Sequence, residues 1–193
     1  RIPGGTSSEQ DGPVYHRART AVSEVHARGG NLVLMSSDNE DDIYVNALMN
    51  ASLLLYMRQS RLQNYVMLLT ELLFPLYFRK VMDAGMFKDA HALIRKKTGL
   101  DYFNKASGLQ ADRAGGLDGM PGAFEPFDVF SPSAAEGGLM VGPMWKRGLS
   151  TKLSNIVGTS RQNVDSIIKA GNIVEIRNFD AAAVRMLDKA FGG

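Results

Sequence analysis

Cysteine is absent from this chain of 193 residues. A disulfide framework, a thiolate metal site and a cysteine nucleophile are therefore excluded. Long apolar runs are missing as well: the longest uncharged stretch, Ile43 to Met57, contains Asn46 and Asn50. A bilayer span needs roughly 20 mostly apolar residues. The sequence therefore predicts no membrane span.

A strong net charge is also lacking, since the chain carries only +2 at neutral pH. That value is too small to indicate a polyanionic partner for the whole surface. The distribution is uneven, however, because residues 146–193 hold eight Lys and Arg against four Asp and Glu. Phosphate contacts are expected in this last quarter, unless the excess is an ordinary solvated surface.

Apolar periodicity indicates helices along most of the chain. Tyr15, Ala18, Val22 and Val25 recur at helical spacing, which predicts a first helix with these residues on one face. It should end at the paired glycines 29–30, since glycine accepts the left-handed cap conformation. The next run, residues 31–35, fits either a strand or a buried connector.

The middle of the chain is the most apolar part. A second helix should begin near Asp41, where carboxylates favour a helix start, and the region up to Phe74 is apolar on more than one side. Such helices are buried centrally. A break is expected near residues 59–61. Beyond Pro75, two helices joined at Gly85 should follow and end at residue 99.

Helical patterns return after Trp145. They predict helices over 151–157 and 160–170, an apolar run over 173–176, and a last helix over 179–191 with Asn178 as its cap. The predicted fold class is mainly α, a multi-helix bundle with a long Gly/Pro-rich irregular segment and little or no β. The predicted organisation is an N-terminal arm over 1–13, a helical core over 14–106, an extended arm or loop over 107–149 and a basic helical subdomain over 150–193.

The Gly/Pro-rich segment has its own composition. Residues 108–149 contain nine of the 20 glycines and four of the seven prolines, with no sustained period of either helix or strand. Within it, Phe124, Phe127 and Phe130 are of the kind that dock an extended arm into a neighbour's groove. The alternative is that these three rings pack on the chain's own core.

The strongest local pattern is LSNIVGTSRQNVDSIIKAG, residues 153–171. It resembles the helix-turn-helix of DNA-binding repressors, in which two short helices pack around a tight turn that carries glycine. On this resemblance Leu153 and Val157 face inward from the first helix, with Ser154 the small residue at the helix contact, and Gly158 forms the turn. The second helix is capped by Ser160, and its inward residues are Val164 with Ile167 or Ile168.

The resemblance implies a set of nucleic-acid contacts. Arg161, Gln162 and Asn163 would lie at the exposed start of the second helix, where base edges or phosphates are met. Phosphate contacts would come from Lys152, Lys169 and Arg177. The alternative is a structural helix pair whose lysines and arginines form a solvated face.

Paired glycines are the second pattern, and they stand at 4–5, 29–30, 115–116, 137–138 and 192–193. Chain ends of this kind resemble products of the Gly-Gly-specific proteases that mature some viral structural polyproteins. Those enzymes require a slim, extended segment. Helix caps and loops are the other explanation of the pairs.

Catalytic and metal-binding patterns are missing. His16, His26 and His91 lack a partner at metal-binding spacing, and the acidic residues 38–42 lack the spacing of a calcium loop. Phosphate-loop, dinucleotide and serine-hydrolase motifs do not occur. The prediction is therefore no enzyme, no cofactor and no metal.

Two functional hypotheses remain at this stage. The first is a structural or assembly protein that forms multimers through its helical core and extended arms, with a viral capsid or nucleocapsid as one setting. The alternative is a helix-turn-helix DNA-binding protein that uses residues 150–171. The expected partners are further copies or other structural subunits, with nucleic acid at the C-terminal region. The expected location is intracellular or in a virion, with no visible secretion signal.

Overall fold

The computed structural model contains helices and connecting segments. It describes residues 12–36, 40–76, 83–99, 124, 127–131, 134, 141–142 and 144–191. Across these residues there are seven helices and no strand, which confirms the mainly α fold class. Their bounds are α1 Pro13–Arg28, α2 Asp41–Met57, α3 Arg61–Leu73, α4 Ala84–Thr98, α5 Leu149–Val157, α6 Arg161–Ala170 and α7 Ile173–Phe191.

Most helix ends carry the local signals expected of them. Gly29 and Gly99 adopt the left-handed conformation, with φ of 63° and 64°, directly after α1 and α4. At the start of α3, the Ser60 side chain accepts from the Gln63 amide while the Gln63 side chain accepts from the Ser60 amide. This reciprocal capping box explains the break predicted near residues 59–61.

One apolar core joins distant parts of the sequence. Helix α3 is its centre, with Tyr65, Val66, Leu69 and Leu73 buried. Helices α5, α6 and α7 pack around it, and α4 covers another side of α3. The C-terminal helices therefore share a core with α3 rather than packing only on one another.

Helix α2 differs from the prediction of a centrally buried helix. It lies along α7, and only Val45 and Ser52 are buried within it. Ile43 and Tyr44 remain exposed at its start, as do Leu54 and Met57 farther along the helix. Central burial was predicted correctly for α3 and wrongly for α2, because α2 packs mainly on a single neighbour.

Helix α1 also differs from expectation in its orientation. Ala21 is its one buried residue, and Val25 is half-buried, while Tyr15 and Val22 are more than half exposed. The predicted apolar stripe thus faces outward. A helical period shows that residues share a face, but it does not show which face meets a neighbour.

Two predicted helix boundaries differ from the structure. Gly85, predicted to join two helices, lies in the first turn of α4, where the Asp83 side chain caps the helix through the Met86 amide. The helix predicted before it falls mainly on residues 77–82, outside the described residues. Asn178 is buried inside α7 instead of capping a last helix. Helix α7 is continuous because Ile173, Ile176 and Ala181, on both sides of Asn178, are all buried.

Candidate nucleic-acid interface

Helices α5 and α6 are joined by the tight turn that the sequence predicted. Gly158 has a φ of 72°, and its amide donates to the Ser154 carbonyl at 2.9 Å. Ser160 then caps α6, because its hydroxyl accepts from the Asn163 amide at 3.2 Å. Both features are local, and they allow α6 to begin after only three connecting residues, 158–160.

The inward faces of the pair form part of the main core. Leu153 and Ile156 are buried on α5, and Val164 and Ile168 are buried on α6. Val157, which was also predicted to face inward, is only half-buried, and of the two alternatives on α6 Ile168 is buried while Ile167 is half-buried. Helix α3 contacts both α5 and α6, so the three helices form a compact trihelical unit.

Ser154 occupies the position predicted for a small residue at the helix contact. It is buried, and its hydroxyl donates to the Thr151 carbonyl at 2.8 Å. A buried hydroxyl needs such a partner, because an unpaired one costs free energy of folding. Serine is therefore compatible with this position of the helix pair.

The start of α6 presents three polar side chains outward. Arg161, Gln162 and Asn163 are all exposed. Arg161 pairs weakly with Asp165, at 3.7 Å between Nε and Oδ2, and the Asn163 amide group donates to the Thr159 hydroxyl at 2.8 Å. An exposed pair of this kind contributes little to stability, so Arg161 can exchange its partner for a phosphate at low cost.

Among the three predicted phosphate contacts, Lys169 lies in the last turn of α6 and is exposed. Lys152 is half-buried, with its Nζ 4.0 Å from the centroid of the Phe124 ring. Burial lowers the pKa of Lys152, and nearby Lys146 adds to the effect. Lys152 therefore has a structural contact of its own.

The prediction that Arg177 contacts phosphate is wrong. Its side chain is completely buried, it forms an ion pair with Glu71, and it donates to the Phe74 carbonyl at 2.7 Å. The guanidinium also lies 5.3 Å from the centroid of the Phe74 ring. Arg177 is thus enclosed by α3 and cannot reach a phosphate in this arrangement.

The Arg177 pair is maintained against a desolvation cost. Burial lowers the pKa of Arg177, and the negative charge of Glu71 opposes that change. Burial likewise raises the pKa of the Glu71 carboxyl, against the effect of Arg177. Arg177 Nε has no hydrogen-bond partner among the described residues. This network ties α7 to the end of α3 and acts as a structural contact.

A second basic group lies where the C-terminal ends of three helices, α2, α4 and α6, meet the start of α3, and sequence reasoning missed it. We call it the α3-start cluster; its members are Arg58, Arg61, Arg95, Lys96, Lys97 and Lys169. Gln59 donates to the Gly171 carbonyl at 2.7 Å, which brings the end of α6 to the start of α3.

The end of α4 reaches the same place. A Cβ atom added at Gly99 would lie 3.8 Å from Arg61 Nη1, and Lys97 Nζ donates to the Tyr56 hydroxyl at 3.1 Å. Neither the first turn of α3 nor the last turns of α4 and α6 contain an acidic residue, although exposed Glu175 follows in the first turn of α7. Only the fold could reveal this cluster, since its members are far apart in sequence.

The three phenylalanines of the Gly/Pro-rich segment contact the chain's own core. The Phe124 amide donates to the Leu73 carbonyl at 2.8 Å, and the Phe127 amide donates to the Pro75 carbonyl at 3.0 Å. Their ring centroids lie 6.2 and 6.4 Å from that of Phe74. Phe130 packs on a smaller cluster of Val129, Met144 and Ala181.

Further contacts fix this part of the segment. Arg185 of α7 donates to the carbonyls of Val129 and Ser131, at 2.6 and 3.1 Å. A Cβ atom added at Gly142 would lie within 3.0 Å of the Phe127 ring, so glycine permits this approach. The described residues of 107–149 therefore follow the alternative of packing on their own core, and the rest of the segment lies outside the described residues.

The three histidines are the other side chains that the sequence analysis considered as possible ligands or catalytic groups. His91 is buried, with its Nε2 2.7 Å from the Tyr65 hydroxyl, whereas His16 and His26 are exposed. No metal-binding group of three acidic or histidine side chains occurs within the described ranges. Of the helices described, none has the length and hydropathy to cross a bilayer.

Comparison of the chain with protein-family models, with curated proteins and with solved structures found no match.

Proposed function

We propose that this protein binds duplex DNA through α5 and α6. The observation that supports the proposal most is the exposed start of α6, where Arg161, Gln162 and Asn163 project from a helix whose other side is buried against α3 and α5. A rigid helix that presents Arg, Gln and Asn can read base edges in the major groove, because these side chains form bidentate hydrogen bonds with guanine and adenine.

The surrounding charge supports the same proposal. Lys169 at the other end of α6 belongs to the α3-start cluster, so positive side chains extend from α6 onto the ends of α3 and α4. Phosphate contacts of this kind supply sequence-independent affinity and orient the reading helix on the duplex. Arg177 is left out of this interface, since it is buried, and Lys152 contributes less than an exposed lysine would.

Assembly through extended arms is the weaker proposal. Phe124, Phe127 and Phe130 were its predicted anchors, and all three pack on their own core. Their rings are therefore occupied and would have to leave Phe74 and Met144 before they could enter a neighbour's groove. The suggestion of a viral shell stays a prediction that concerns residues outside the described ranges.

Fluorescence anisotropy with a labelled, mixed-sequence DNA duplex tests the proposal. We expect salt-dependent binding by the wild-type chain and weaker binding by Arg161→Ala, with the slope of log K against log salt reduced by about one. Lys96→Ala and Lys169→Ala should each weaken binding to all sequences by a similar factor.

Arg28→Ala is the matched control. Arg28 is an exposed helical arginine paired with a carboxylate four residues away, as Arg161 is, but it lies on α1. The Arg28→Ala substitution removes the same charge far from α6, so the affinity for the duplex and its salt dependence should stay unchanged. Absence of duplex binding at low salt, or equal losses in both arginine variants, would overturn the proposal.

A further inference from the structure

The connector between α1 and α2 is held by a regular ladder of side chains. Asn50 bonds both the N–H and the C=O of Leu32, at 3.3 and 2.7 Å. Asn46 does the same for Leu34, at 2.6 and 2.9 Å. Asp42 then accepts from the Ser36 amide at 2.9 Å. Each carboxamide thus takes the place that the backbone of a neighbouring strand would occupy.

The spacing of this ladder shows that the connector is extended. Residues four apart on a helix are separated by about 6 Å along its axis, and alternate residues of an extended chain by about 6.6 Å. The stripe of Asp42, Asn46 and Asn50 can therefore meet every second residue of a chain running antiparallel to α2. Leu32 and Leu34 direct both of their main-chain polar groups towards that stripe.

The intervening residues direct their polar groups the other way. In an extended chain, successive residues present N–H and C=O to opposite edges. Val33 and Met35 make no hydrogen bond to any residue in the described ranges. Buried main-chain groups are nearly always paired, so two unpaired residues of this kind indicate an edge that is open to water or to a partner.

Large apolar side chains are exposed near one end of the connector, whereas Val33 and Met35 themselves are half-buried. Ser36 is bonded to Arg17 of α1 and to Asp42 of α2, so the N-terminal turns of both helices lie near the end of the connector. Those turns expose Val14 by 73% and Ile43 by 66%. Large exposed apolar side chains beside an open strand edge are typical of an association surface.

We propose that this edge pairs with the same edge of a second copy of the chain, as an antiparallel two-strand ribbon with its two-fold axis at Leu34. In that register Val33 lies opposite Met35 of the other copy, and such opposed residues exchange both of their hydrogen bonds. The N–H and C=O groups of Val33 in one copy then bond to those of Met35 in the other, while Leu34 keeps its bonds to Asn46 of its own chain.

A second copy fits this edge better than a partner of another kind. Residues 31–36 carry no charge, so pairing of identical segments brings no like charges together and offers nothing to a charged peptide. The Asn46 and Asn50 bonds also hold the segment extended before it pairs, which reduces the ordering cost of association. This proposal does not rest on DNA binding.

Amide hydrogen exchange of the wild-type chain, followed by NMR at several protein concentrations, tests the pairing directly. The Leu32 and Leu34 amides should be protected at every concentration, because their partners are intramolecular. The Val33 and Met35 amides should become protected only as the dimer forms, which light scattering coupled to size exclusion would measure in parallel. A chain that stays monomeric, or a dimer without protection at Val33 and Met35, overturns the proposal.

Charge variants test the register. A chain with Val33→Lys and Met35→Lys and another with Val33→Glu and Met35→Glu should each be monomeric, because like charges then lie opposite one another. Mixing the two should restore the dimer. Failure of the mixture to associate, with both chains still helical by circular dichroism, counts against the antiparallel register.

Val33→Pro provides a variant without added charge. It removes one donor from each copy, and the dissociation constant should rise about tenfold or more, as expected for the loss of two hydrogen bonds per dimer. Leu34→Pro is its matched control, because the Leu34 amide donates to Asn46 of the same chain and not to the second copy. Leu34→Pro should therefore lower the free energy of unfolding, whereas Val33→Pro should act mainly on the dissociation constant. Unchanged association of a folded Val33→Pro chain would contradict the proposal.

Discussion

Two regions of this molecule are stabilised in different ways. The core of α3 with α5, α6 and α7 buries large side chains on all of its helices and encloses one complete arginine. The N-terminal layer of α1 and the connector buries a single residue of α1, Ala21, and is joined to α2 mainly by asparagine hydrogen bonds. Apolar burial stabilises folding more than net hydrogen bonding does, so the two regions should differ in stability and in the role of their surfaces.

The largest effect is expected from Arg177→Met in the core. The change leaves the Glu71 carboxylate without its ion-pair partner and the Phe74 carbonyl without its donor. The free energy of unfolding should fall by about 3 kcal/mol, the lower end of the range for broken buried pairs, because the Glu71 side chain is 36% exposed and water can partly solvate its charge. Urea denaturation followed by circular dichroism measures it. A loss similar to that of Arg28→Met, an exposed arginine of the N-terminal layer, would remove the contrast between the regions.

A smaller loss of stability is expected from Phe127→Ala. The ring is half-buried against the core and contacts Gly142, so its removal should cost about 2 kcal/mol, less than for a fully buried phenylalanine. The same denaturation measurement applies. An assembly arm would give the opposite result, with unchanged monomer stability and altered oligomer size, and that outcome would revive the arm hypothesis.

Asn46→Ala tests the ladder of the N-terminal layer. It removes both bonds to Leu34 and should cost about 1–2 kcal/mol, because a half-buried amide and carbonyl lose their partners. Native-state hydrogen exchange should show the loss at Leu34 and little change in α3. Equal loss of protection in α3 would mean that the layer and the core unfold as one unit.

The smallest effect is expected from Val22→Ser in α1. Val22 is 57% exposed, so the change should alter the free energy of unfolding by no more than about 0.5 kcal/mol. Val164→Ser in the core is the matched comparison, and it should be far more costly since Val164 is fully buried. If Val22→Ser weakened dimerisation but left the stability of the monomer unchanged, α1 would belong to the association surface.

Part of the candidate site could be predicted from local sequence. Gly158, Ser160 and the helical spacing of the apolar residues predicted the two helices and their turn, because each of these signals acts within a few residues. The predicted phosphate contact at Arg177 was wrong for the opposite reason, since its partner Glu71 is 106 residues away. The α3-start cluster was missed because three helix ends create it.

The stripe of Asp42, Asn46 and Asn50 is an intermediate case. Its spacing of four residues is visible in the sequence, and polar residues at that spacing in an apolar helix suggest that they have partners on one side. The connector at residues 31–35 could be read as a strand or a buried segment. Only the structure shows that the stripe bonds to the connector, because this bonding requires four residues of helix to span the same distance as two residues of extended chain.

The amino-acid sequence was enough to establish where most helices begin and end, because caps, glycines and carboxylates act on backbone groups within one turn. It also determined the helix pair around Gly158 and the absence of thiol chemistry. Long-range packing determines which apolar stripes are buried, that α7 continues through Asn178, and that Arg177 is enclosed by α3. Those outcomes depend on residues far apart in the chain, because a side chain is buried only where another segment packs against it.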